Sequence, residues 1–141
     1  MSISHRQIGN IFYLRLDPDH EIIASMKSFC RQYGIQAGMI SGLGAVKSVT
    51  LGFFEPISKQ YQQKTFEGAY EITSLIGNIS TLEQEVYLHA HANFAGADYQ
   101  VFGGHLAAAV VSATAEIRIQ KDDGQLERAF NQQIGLNIYK F

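Results

Sequence analysis

The chain has one cysteine, Cys30, and two prolines, and only 17% of its residues are charged. A single cysteine excludes an internal disulfide and fits a reducing compartment, so the expected location is cytoplasmic. No stretch approaches the ~18 consecutive apolar residues of a membrane-spanning helix. The opening Met1-Ser2-Ile3-Ser4-His5-Arg6 lacks the apolar core of a signal peptide, and no membrane partner is expected. Basic residues are dispersed and the formal net charge is −2. Nucleic-acid affinity rests largely on Lys and Arg neutralising phosphates, so charge alone argues against DNA contact. Low charge beside 46% apolar content points to surface covered by other subunits.

What is present favours strands. Thirteen glycines accompany many Val, Ile, Phe, Tyr and Thr residues, a composition suited to a pleated, half-buried surface. A length of 141 residues fits one domain, 1–141. Residues 10–16 read as a first strand. Asp17-Pro18 reads as a helix start, with Ile22, Ile23, Met26, Phe29, Cys30 and Tyr33 at helical spacing and Gly34 as the stop. Cys30 falls on the apolar face of that helix, which makes it a buried structural thiol. Short strands are expected at 37–46, 48–54, 59–66, 68–80, 85–94, 105–111 and 113–120. The first is bent by its glycines, and the fourth segment's predecessor, 59–66, is an edge strand. A phosphate-loop pattern fails at Gly42-Leu43-Gly44-Ala45-Val46-Lys47, where a lysine stands in place of the last glycine. Lys121-Asp122-Asp123-Gly124 reads as a hairpin turn, and 136–139 as a C-terminal strand. The fold class is α+β: a single domain of twisted, largely antiparallel sheet or half-barrel with one principal helix.

The chemistry concentrates in Leu88-His89-Ala90-His91-Ala92-Asn93, followed by Gly103-Gly104-His105-Leu106. Side chains of a strand alternate faces, so His89 and His91 point the same way, roughly 6.6 Å apart along the strand. Two imidazoles so placed can converge on one ion, and His105 from a neighbouring strand would make three ligands. Open zinc sites use three protein ligands and leave a position for water or substrate. Zinc is the first choice, while imidazole sites also accept nickel, copper or iron. Singly, each histidine reads as a hydrogen-bonded structural residue; together they read as a metal site.

Several ordered blocks also match a family pattern: Leu14-Arg15-Leu16, Phe29-Cys30-Arg31, 37–46, Thr50-Leu51-Gly52-Phe53-Phe54, 68–80, Leu88-His89-Ala90-His91 and Gly103-Gly104-His105-Leu106. Over roughly residues 6–120 the chain resembles the PPC (plants and prokaryotes conserved) domain, in its stand-alone prokaryotic form. The resemblance implies a compact antiparallel-sheet domain with a helix, assembling as a homotrimer, with a C-terminal strand extension here. Plant members add an AT-hook that binds DNA; its Arg-Gly-Arg-Pro core is absent from this sequence. More distantly, the pattern resembles acetolactate decarboxylase, which implies His89, His91 and His105 as metal ligands. The plant partner-binding segment Gly-Arg-Phe-Glu-Ile-Leu is similar to Gly68-Ala69-Tyr70-Glu71-Ile72-Thr73, with Ala69 and Thr73 as departures.

Beside a structural trimer whose histidines are merely core polar groups, two functions follow as expectations. One is a regulatory or DNA-binding module carrying a three-histidine metal site. The alternative is a metal-dependent lyase or hydrolase acting on a small carbonyl or carboxylate compound. Glu71, expected to be partly buried, is the candidate general acid or base; its other reading is an ion pair with an arginine such as Arg15 between subunits. Arg15, Ser41 and Asn93 are candidate binding residues lining a pocket for a small-molecule ligand.

Overall fold

The short apolar runs punctuated by glycine join into long strands. The computed structural model describes residues 3–141. In chain order the elements are β1 (Ser4–Ile8), β2 (Ile11–Leu16), α1 (Ile22–Gln32), β3 (Gly38–Glu55), β4 (Gln60–Leu82), β5 (Glu85–Ala95), β6 (Val101–Lys121), β7 (Glu127–Asn131) and β8 (Leu136–Tyr139). The expected pairs 37–46 with 48–54, 59–66 with 68–80, and 105–111 with 113–120 are thus three continuous strands. Register shifts at Gly42/Gly44 and Val46/Ser48 absorb the extra residues as bulges, which bend a strand without ending it. The outer half of β4, Gln60 to Tyr70, pairs only with β3 and is an edge, as its lysine-bearing sequence led one to expect.

β1 was not expected. It pairs with β2 through a tight turn at Gly9, which takes φ +60. The helix starts later than Asp17-Pro18 indicates. Asp19 adopts φ 72, which breaks helical continuity, and Glu21 is the cap. Its carboxylate accepts from the amides of Ile23 and Ala24, and also from that of Ala109 on β6. One side chain therefore both starts the helix and ties it to the sheet. The Lys121–Gly124 signal marks a turn, but not a hairpin. The Asp122 and Leu126 amides bond the carbonyls of Ala37 and Gln36, carrying the chain past β6. β7 then pairs in parallel with the end of β4, through Thr81 opposite Glu127. β8 returns antiparallel to β7 and forms a C-terminal hairpin.

The strand order is β1-β2-β6-β3-β4-β7-β8, with β5 pairing both β4 and β6, a twisted and mostly antiparallel sheet. One face holds the core: Ile22, Met26, Phe29 and Cys30 of α1 are buried together with Phe12, Leu14, Leu16, Ile117 and Ile119. Cys30 is fully buried, and burial pushes its thiol up to about 12. The other face is open to solvent. Directly paired residues in an antiparallel ladder share a face, so Tyr13, Arg118, Ser41, Ile76, His91 and His105 form one row across it. Among the described residues no helix is long and apolar enough to cross a membrane.

Candidate metal centre

The alternation of β5 divides its residues cleanly. Leu88, Ala90, Ala92 and Phe94 are buried, while His89, His91 and Asn93 project from the opposite face. His105 is the direct partner of His91 across the β5–β6 ladder and faces Gly52 of β3 on its other side. The three imidazole centroids lie 5.3 to 5.5 Å apart. One ring nitrogen from each falls within 4.8 Å of the other two. Tetrahedral zinc with bonds of 2.0–2.1 Å wants ligand nitrogens about 3.3 Å apart. Side-chain rotation spans that difference, so the donor set fits a divalent first-row metal.

The electrostatics keep two of these rings neutral. His89 is pushed down first by burial, then by the Arg128 guanidinium and by His91. His105 is pushed down to about 4, again first by burial and then by His89 and His91. Neutral imidazole is the form that ligates, so both rings offer lone pairs at neutral pH.

The histidines open into a cavity of about 730 Å³. Tyr61 stands edge-on to His105 with ring centroids 5.8 Å apart. Gly52 makes this possible: a Cβ there would sit 1.8 Å from the Tyr61 hydroxyl oxygen. Burial, then Tyr87, pushes the Tyr61 phenol up, so it stays protonated and able to donate. The C-terminal hairpin supplies Phe130, Leu136 and Asn137 to the same cavity. Arg128 pins that hairpin in place. The residue is 8% exposed, and its guanidinium donates to the Ser80 hydroxyl, the Asn137 carbonyl and the Asn78 side-chain oxygen at 2.8 to 3.0 Å. It also packs between the rings of Tyr87 and Tyr139. Asn78 is the cross-strand partner of His89, so the cation stands beside the histidine cluster.

The other expected site residues lie elsewhere. Arg15 and Ser41 line a separate cavity of about 690 Å³ together with Arg118 and Glu116. Arg15 donates to Asp17 at 2.9 Å. Asn93 lines neither cavity; its amide donates to the Ser74 hydroxyl, in space left by Gly103, where a Cβ would lie 2.1 Å from the Asn93 side-chain oxygen. Glu71 is exposed rather than partly buried, and it lines neither cavity. The alternation of β4 points it outward while Ile72 takes the core position. Sequence reasoning missed Tyr61, Tyr87 and Arg128. Only Gly52, a glycine amid Leu51 and Phe53 in a strand, signalled that something large must approach the backbone there.

Comparison with known proteins places these features in a family. Residues 3–122 match the model of the Plants and Prokaryotes Conserved (PCC) domain. A protein of Bacteroides thetaiotaomicron, described as a candidate DNA-binding protein, is 37% identical, with 99% of this chain and 97% of that chain covered and a TM-score of 0.96. A protein of Archaeoglobus fulgidus described as metal-containing is 33% identical, with 100% and 99% covered and a TM-score of 0.87. Acetolactate decarboxylase of Bacillus subtilis shares the fold alone, at 12% identity and a TM-score of 0.53, over 86% of this chain and 57% of that one. No curated protein matches. With the family pattern matched over most of its length, the chain belongs to the Plants and Prokaryotes Conserved domain family.

Proposed function

We propose that the protein is a stand-alone regulatory module of this family that binds a divalent metal, zinc first, through His89, His91 and His105, and works as a homotrimer. The convergence of three ring nitrogens within 4.8 Å at the floor of a cavity carries the reading. The metal-containing relative supports it. A bound ion would supply Lewis acidity and lower the pKa of a coordinated water. The chain's own residues hold the ring orientations and shape access: Tyr61 against His105, the C-terminal hairpin across the opening, Arg128 beside the cluster. Self-association is supported by Tyr13, Met39, Leu43 and Ile76, which are large apolar residues exposed on the face opposite α1. Large apolar side chains exposed on one face of a sheet suit an interaction surface. Glu71 and Arg15, both exposed in the protomer, are assigned to contacts between subunits.

The Bacteroides relative's description supports a role near DNA. Eleven basic residues dispersed among thirteen acidic ones make weak, strongly salt-sensitive contact the expectation. A sequence-specific complex that survives at ~200 mM salt would overturn it. The deciding experiment is metal analysis of protein purified without a histidine tag, with light scattering for mass. The expected result is metal in the wild type, none in His91→Ala, and a trimeric mass. A metal-free protein indifferent to chelators would sink the site.

A second reading, a metal-dependent enzyme acting on a small carbonyl or carboxylate compound, is favoured by the Tyr61 hydroxyl standing beside the histidines in an open cavity. Turnover of a carbonyl compound that His91→Ala and Tyr61→Phe both abolish would establish it. Metal-loaded protein inert towards such compounds would exclude it.

A further inference from the structure

The walls around the histidines carry more information than the ligands themselves. Lys59 lines the cavity, and its ammonium bonds only the Gln132 carbonyl, at 3.2 Å. Arg128, beside the histidine cluster, bonds three neutral oxygens. Among the described residues neither cation has a carboxylate within ion-pair distance, and no carboxylate lines the cavity. Three neutral imidazoles leave a divalent ion's charge uncompensated. Lysine and arginine add to that field instead of offsetting it, and a partly buried positive site favours an anion. Apart from Gln63 and Asn137, the rest of the wall is mainly aromatic and apolar: Phe53, Phe54, Tyr61, Tyr87, Phe130 and Leu136. The last two come from the C-terminal hairpin, beyond the stretch matched by the family model.

We infer that this pocket takes a small monocarboxylate bearing an aromatic or branched apolar body, with the carboxylate at the histidine cluster and Lys59 and the body against the C-terminal hairpin. This rests on the three-histidine metal reading and adds the ligand class. A pocket of about 730 Å³ lies within the range of small-molecule sites. The hairpin is then the segment that sets selectivity, since its two apolar side chains touch the body and not the charge. Both are surface residues, Phe130 64% and Leu136 37% exposed, so shortening them leaves the fold intact.

The test loads the untagged full chain with cobalt(II) and follows its visible absorption during titration with acetate, phenylacetate and phenylacetamide. The expected result is that both carboxylates perturb the cobalt bands, phenylacetate binds about tenfold more tightly than acetate, and the neutral amide has no effect. Phe130→Ala and Leu136→Ala should remove the preference for phenylacetate while leaving acetate binding in place. Lys59→Met should weaken both acids. Cobalt bands that appear but respond equally to amide and acid, or show no preference for the larger acid, overturn this inference alone. Failure to acquire any cobalt spectrum dependent on His91 overturns the metal reading and this inference together.

Discussion

The two faces of β5 are built from the same eleven residues to opposite specifications. Inward, Leu88, Ala90, Ala92 and Phe94 are buried among apolar neighbours, and Phe94 is fully enclosed. Outward, His89 and His91 meet His105 beside polar and aromatic side chains that leave an open cavity. The inner face is specified by volume, and many apolar residues of the right size would serve there. The outer face brings one ring nitrogen from each histidine within 4.8 Å of the others, an arrangement specified by atom position. Stability and site are therefore separable within a single strand, and each can be altered without the other.

Urea unfolding of metal-free protein gives the scale for breaking that separation. Phe94→Ala should be the most damaging change, at about 3–5 kcal/mol, because it empties a large enclosed volume. A loss below about 1 kcal/mol would show that β5 is not held by its inner face. Arg128→Met should come next, at about 1–3 kcal/mol, since it strands Ser80 and Asn78 without their donor. Limited proteolysis should then cut the C-terminal hairpin first.

Two pH effects carry opposite signs. The folded state holds His105 at about 4 against 6.5, so it binds fewer protons than the unfolded chain between those values. Its contribution is complete above 6.5 and is lost as pH falls towards 4. Cys30 is held at about 12 against 9.0, so its contribution is complete below 9.0 and is lost as pH rises towards 12. His105→Gln should flatten the acid limb and Cys30→Ala the alkaline limb, each leaving the other in place. Smallest of all is His91→Ala, on the exposed side, which should shift metal-free stability by no more than about 0.5 kcal/mol while abolishing metal uptake. A large loss of stability there would merge the two faces into one cooperative unit and defeat the comparison.

The sequence exposed the inner face and the clustering of three histidines because both follow from a period of two. Alternation places His89 with His91, and the glycines ahead of His105 mark where its strand comes close. Strand ends were less legible. Val46 reads as the end of one strand and Ser48 as the start of another, yet hydrogen-bonded neighbours on both sides carry β3 through that point as a bulge. The helix start was misplaced because Asp17-Pro18 has the right local chemistry, while Glu21 gains a third, distant amide that local pattern cannot reveal. Glu71 reads as partly buried from its apolar neighbours, although its own parity on β4 sends it outward. The cavity walls were hidden for a related reason: Tyr61, Arg128 and Leu136 come together only through β3–β4 pairing and a parallel crossover late in the chain.

The enclosed thiol of α1 has a practical use. As the chain's one cysteine, fully covered and held protonated, Cys30 is invisible to thiol reagents until the helix leaves the sheet. Its labelling rate is a built-in clock for core opening, one that records events on the apolar side of the sheet and none at the histidines. Run with and without metal, that clock would time how far an ion held on one face steadies the other.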